Sequence, residues 1–165
     1  MDANHRVAGL VIAGGRSTRF GSEKAVALFG GEALLLRSVR RLREACAAVA
    51  VNARPGSGAA ALAQAGGLPL LVDAPGDPDG PLAGVKAGLA WAEGQGAALL
   101  AVSPCDAPLL PQELYPRLVA AALEAGGAAM AVTSEGRQPL CAVWPVSAHA
   151  MLQAALAGGA HPPTW

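Results

Sequence analysis

Apolar positions along the chain fall in short unbroken runs, separated by longer stretches rich in Ala, Leu and Arg. Val7–Ala13 (VAGLVIA) is apolar at every position, as a strand buried on both faces must be. Similar runs at Ala48–Ala53, Pro69–Asp73, Ala97–Ser103, Ala128–Thr133 and Leu140–Pro145 predict five further strands. The stretches Glu32–Ala47, Ser57–Ala65, Pro81–Gln95, Pro111–Ala125 and Ser147–Leu156 predict helices. Ser57 suits a helix N-cap, and Pro81 suits a first turn, where no amide donor is needed. Gly14–Lys24 and Ala74–Gly80 have the composition of loops. Strands alternating with helices predict an α/β fold, with a mostly parallel sheet covered on both faces and right-handed connections.

The length of 165 residues suits one domain over 1–165, with a core that needs no disulfide or metal staple. Twelve basic and twelve acidic residues give a formal net charge of zero. That balance, with only 4% aromatics, argues against nucleic acid or a membrane surface as a partner. The apolar runs are too short, or too often broken by charge, to span a bilayer. Cys46, Cys105 and Cys141 are odd in number, form no CxxC and lie in no zinc-like cluster, which points to a reducing, cytoplasmic setting. Arg37, Arg40, Arg41 and Arg43 cluster on one helix and read as a solvated face.

In an open parallel sheet, ligands bind beyond the carboxyl ends of the strands. The first strand is followed there by Gly14 and Gly15, then by Arg16, Arg19 and Lys24. Paired glycines let backbone amides approach a ligand, and three cations on one loop suit a polyphosphate. The loop is neither GxxxxGK[ST] nor GxGxxG, and an ordinary Gly-rich turn with solvated arginines is the competing reading. The chain has two lysines, Lys24 and Lys86, against ten arginines, so an ammonium at position 24 carries some information. Asn52 and Asp73 end the second and third strands, where each could contact a base or ribose or merely close a turn. Asp106, in Pro104-Cys105-Asp106-Ala107-Pro108, could hold Mg²⁺ beside phosphates or cap a turn. Gly80-Pro81-Leu82-Ala83-Gly84 opens a helix whose N-terminus favours anions. Cys105 has no histidine near it in sequence and is not read as a nucleophile.

Taken together, these segments resemble the molybdenum cofactor guanylyltransferases, the MobA family of nucleotidyltransferases. Ile12–Lys24 (IAGGRSTRFGSEK) resembles the family's LAGGxSxRMGxDK opening. Val51–Arg54 (VNAR), Val72–Gly84 (VD then GPLAG), Pro104–Pro108 (PCDAP) and Arg137–Trp144 (RQPLCAVW) follow in family order. The resemblance implies a three-layer α/β/α Rossmann-like nucleotidyltransferase fold. It implies transfer of GMP from GTP to the terminal phosphate of molybdopterin, with Mg²⁺ as cofactor and pyrophosphate released. Carried over, Ile12, Ala13 and Gly14 lie against the nucleotide, and Asn52 and Asp73 contact it. Lys24 binds phosphate, Asp106 binds Mg²⁺, and Gly15 and Arg19 shape or neutralise the triphosphate site. Transient contact with cofactor-assembly proteins is a further implication. Glu23, Phe20 and Gln138 stand where the family has Asp, Met and His. The family's Asn-x-Asn-Thr-Pro segment is not found, so a truncated domain or one lacking that element is expected. The alternatives are a related nucleotidyltransferase using CTP or a sugar phosphate, and an inactive nucleotide-binding relative.

Overall fold

The computed structural model describes residues 6–14 and 23–159. Its strands are β1 (Val7–Ile12), β2 (Leu28–Phe29), β3 (Glu32–Ala33), β4 (Ala48–Asn52), β5 (Leu70–Leu71), β6 (Leu99–Pro104), β7 (Ala129–Thr133) and β8 (Gly136–Pro145). Its helices are α1 (Leu34–Arg43), α2 (Gly58–Ala65), α3 (Pro81–Gly94), α4 (Leu114–Ala125) and α5 (His149–Ala157). Six strands form one sheet in the order β5-β4-β1-β6-β8-β7, and β2 and β3 form a separate hairpin. The pairs β5/β4, β4/β1 and β1/β6 are parallel, while β8 runs antiparallel to both β6 and β7. The sheet is therefore mostly parallel, as the sequence predicts.

The apolar runs divide between two cores because side chains alternate along a strand. Val7 and Val11 of β1 and Leu99 and Ala101 of β6 face a core built with Leu35, Val39 and Leu42 of α1, Ala59, Ala60 and Ala63 of α2, and Leu118 and Val119 of α4. Ala8, Leu10 and Ile12, with Leu100 and Val102, face Val85, Leu89 and Ala92 of α3 and Leu152 and Leu156 of α5. The result is three layers, with α1, α2 and α4 on one face and α3 and α5 on the other. Slipping β1 by one residue would exchange the two cores, so burial fixes its register.

The expectation of uniformly right-handed connections fails once. The β1-α1-β4 connection moves toward the β5 edge, and β6-α4-β7 moves toward the opposite edge, yet both helices lie on the same face. The two connections therefore have opposite hands. Antiparallel β8 fills the slot between β6 and β7, and α5 follows it onto the α3 face, so α4 packs beneath the β7–β8 hairpin from the other side.

Element boundaries differ from expectation for local reasons. The helix predicted from Glu32 begins at Leu34, because Glu32 and Ala33 pair with Phe29 and Leu28 across Gly30-Gly31. Both glycines have positive φ (60° and 81°), as a two-residue primed hairpin turn requires. The third strand shrinks to Leu70–Leu71 at the sheet edge, and β8 starts at Gly136, where it pairs with Thr133. Arg40 and Arg43 are exposed, as a solvated face predicts, while Arg37 and Arg41 are half-buried. Arg37 and Arg40 both bond Glu32, Arg41 bonds Glu44, and the Arg37 guanidinium lies 5.0 Å from the Phe29 ring centroid. The Arg40 hydrogen bond holds the Glu32 carboxyl below its ordinary range. Among the described residues, no helix is long and apolar enough to cross a membrane.

Candidate functional site

The parallel strands end in line. Ile12 is the register partner of Asn52 on one side and of Pro104 on the other, and Asn52 partners Leu71. Ala13-Gly14, Asn52, Asp73 and Asp106 therefore emerge along one edge of the sheet, where Rossmann-like folds place ligands.

A cleft of about 310 Å³ opens at the ends of β1 and β4, walled by Ile12, Gly14, Asn52, Asp73 and the start of α3. Asn52 is 3% exposed, and its Nδ2 donates to the Leu71 carbonyl (3.2 Å) and to Asp73 Oδ1 (2.8 Å). Those two bonds fix the amide's orientation and turn its Oδ1 toward Gly14 and Gly84. A Cβ at Gly84 would lie 2.8 Å from Asn52 Cγ, so only glycine lets the second turn of α3 approach this side chain. Gly80 is the α3 N-cap at φ +143°, and Pro81 occupies the first turn. The positive end of α3 thus faces the cleft, as an anion site requires. The preceding loop is tied down by Lys86 of α3, whose Nζ donates to Asp77.

On the other side of β1, Lys24 Nζ donates to Asp106 Oδ2 at 3.2 Å, joining residues 82 positions apart. Lys24 begins a 3-10 turn, Lys24–Val26, whose Ala25 is buried in the α1/α2 core. Asp106 stands two residues beyond β6, and that strand end is pinned from beneath. Ser38 Oγ of α1 donates to the Pro104 carbonyl (2.9 Å), and Tyr115 Oη of α4 donates to the Val102 carbonyl (3.1 Å). A second cleft of about 580 Å³ lies beside Asp106, lined by Thr133, Gln138 and Cys141 of the β7–β8 hairpin. Burial pushes the Cys105 thiol up to about 11, so it is protonated at neutral pH and is no nucleophile, as the sequence reading holds.

Among the described residues, no group of three or more His, Cys, Asp or Glu could hold a metal by itself. The carboxylate of Asp106, bonded here to Lys24, still fits Mg²⁺, which takes one or two protein carboxylates and completes its octahedron with water and substrate phosphate oxygens.

Lys24 and Asp106 meet, and Ile12, Gly14, Asn52 and Asp73 share one cleft. Ala13 is buried between β1 and the cleft, its N–H donating to the Asn52 carbonyl at 2.8 Å. Gly15 and Arg19 lie outside the described residues. Sequence reasoning passed over Asp79 and gave no role to Arg54, both of which line the first cleft. It also gave no role to Glu23, whose carboxylate receives two backbone N–H bonds from α2. Arg54 was recoverable from its place just past a strand end; nothing local marks the other two.

A match to the MobA-like NTP transferase domain spans residues 9–162. A molybdenum cofactor guanylyltransferase of Rhodobacter capsulatus is 44% identical over 118 residues, covering 71% of this chain and 60% of that relative. One from Cereibacter sphaeroides is 40% identical over 157 residues, covering 93% of this chain and 77% of its own. Among solved structures, molybdopterin-guanine dinucleotide biosynthesis protein A from Archaeoglobus fulgidus superposes with a TM-score of 0.72 at 22% identity, covering 92% of this chain and 74% of that one. A 4-diphosphocytidyl-2C-methyl-D-erythritol synthase superposes with a TM-score of 0.66 at 17% identity, covering 96% of this chain and 86% of that one. The fold is thus that of nucleotidyltransferases, and a sheet edge carrying a helix N-terminus, a lysine and a carboxylate suits that class. The chain belongs to the MobA-like NTP transferase family.

Proposed function

We propose that this protein transfers GMP from GTP to the terminal phosphate of molybdopterin and releases pyrophosphate. The observation that carries the reading is the meeting of Lys24 and Asp106 at 3.2 Å on the sheet edge that also holds Ile12, Gly14, Asn52 and Asp73. The 36–44% identity to relatives named for guanylyl transfer into the molybdenum cofactor supports the choice of reaction. Both clefts lie along one sheet edge, which supports treating residues 1–165 as one nucleotidyltransferase domain.

In this reading GTP occupies the 310 Å³ cleft, with its base near Asn52 and Asp73 and its phosphates toward Gly14, the α3 N-terminus and Lys24. The acceptor occupies the 580 Å³ cleft beside Asp106. A phosphate oxygen of the acceptor attacks the α-phosphorus, a new P–O–P link forms, and the bond to the β-phosphate oxygen breaks. The attacking phosphate is already ionised, so no protein base is required. What the protein must supply is alignment of two anions and cancellation of their charge. Lys24 and Arg19 supply cations. Asp106 would hold Mg²⁺, which when bound stabilises charge on the phosphates and the leaving group. The three free thiols support a reducing, cytoplasmic setting.

The test is pyrophosphate release from GTP, Mg²⁺ and molybdopterin. Lys24→Ala and Asp106→Ala should each lower the rate by about 100-fold or more with the melting temperature kept. Full activity in both variants would overturn the mechanism. Thermal-shift titration with GTP, CTP, UTP and ATP reads the base: the largest shift is expected with GTP, and a preference for CTP would overturn the substrate.

A further inference from the structure

The first residue of the 3-10 turn, Lys24, carries the cation of the proposed site, yet the turn has no side-chain cap of its own. Its anchor lies one residue earlier. Glu23 Oε2 accepts the Gly58 N–H at 2.7 Å, and Glu23 Oε1 accepts the Ala59 N–H at 2.8 Å. Both carboxylate oxygens are thus seated on the first turn of α2, where the helix dipole favours negative charge. Ser57, the N-cap, takes the next N–H, that of Ala60, at 3.1 Å. The division is clean: Ser57 closes the helix from within, and Glu23 is a tether from a distant part of the chain.

Gly58 makes the seat. A Cβ there would lie 2.9 Å from Glu23 Oε2 and 2.7 Å from Val26 Cγ1, at both ends of the segment that holds Lys24. The segment is therefore gripped at Glu23 by α2 and at Ala25 by burial, with Lys24 between them facing Asp106.

We propose that Glu23 is a positioning residue: by docking its carboxylate on the N-terminus of α2, it sets where the Lys24 ammonium stands. The consequence for turnover rests on the proposed reaction, whereas the placement of Lys24 does not.

The chain's two lysines make this measurable. Timed acetylation by an amine-reactive ester, with peptide mass spectrometry, reads Lys24 against Lys86 in the same tube. Lys86 is the internal reference, since its ammonium is bonded to Asp77 and 16% exposed. The Lys24/Lys86 labelling ratio should rise at least threefold in Glu23→Ala, in the near-isosteric Glu23→Gln, and in Gly58→Ala, which pushes the carboxylate off from the other side. Ser57→Ala, which weakens the same helix without touching the tether, should leave the ratio at the wild-type value. In the transfer assay the three tether variants should lower kcat/KM for GTP at least fivefold and leave the acceptor KM unchanged. An unchanged ratio in Glu23→Ala and Glu23→Gln, or an equal rise in Ser57→Ala, would overturn the tether. Loss of transfer in the wild type itself, with the ratios behaving as stated, would overturn the proposed reaction and leave the tether standing.

Discussion

Asn52 shows how much one side chain can be asked to hold. It is buried, both amide hydrogens are used on Leu71 and Asp73, and its oxygen is confined by two glycines. Gly84→Ala should therefore act on ligand affinity through Asn52. We expect GTP to bind about tenfold more weakly, or about 1.4 kcal/mol, measured by calorimetric titration. The convergence of Asn52, Asp73 and Asp106 on one edge was legible in the sequence because strand ends in a parallel sheet point there, and Lys24 stood out as a candidate through its motif. Glu23 was not legible. Its partners are backbone amides 35 and 36 positions away, and backbone groups carry no sequence signal. A carboxylate beside a lysine looks the same whether it is solvated or docked on a helix.

At the scale of elements, α3 carries two glycines with different work. Gly84 packs against the buried Asn52 amide and Ile12, whereas a Cβ at Gly88 would sit 3.0 Å from Leu100 Cδ2, inside the core under the sheet. Gly88→Ala should cost about 1–3 kcal/mol by overpacking. Urea melts should show that loss with GTP affinity unchanged in the folded protein, whereas Gly84→Ala should lower both stability and affinity. In α4, Tyr115→Phe leaves the Val102 carbonyl without its phenolic donor. A loss of about 1 kcal/mol is expected, read as a lower urea midpoint with the slope unchanged. The helices and buried strands were legible from periodicity, and Ser57 and Pro81 marked their starts as predicted. The β2–β3 hairpin was missed although Gly30-Gly31 announces it, because each strand is two residues long and offers no alternation to read. The early start of β8 was missed for a tertiary reason: Gly136–Gln138 are extended only because β7 pairs with them.

For the molecule as a whole, two covered faces mean buried acids that resist ionising. Burial raises the Cys46 thiol to about 12 and Cys105 to about 11, against about 8.5 in an unfolded chain. Above pH 8.5 the unfolded chain gives up these protons first, so it binds fewer than the native state and stability falls as pH rises. Melting temperatures should be level near neutrality and decline from about pH 9 to 11, and Cys105→Ala should decline less steeply. A mostly parallel sheet was predictable from the order of elements, but the opposite-handed connection was not. It depends on β8 inserting between strands that precede it in the chain. The contact between Lys24 and Asp106 has a consequence at this scale too. In the proposed reading, a polyanion enters by taking the place of the Asp106 carboxylate on the Lys24 ammonium. Recognition at this edge would then be a change of partners, with the freed acid available for a cation at the moment the phosphates arrive.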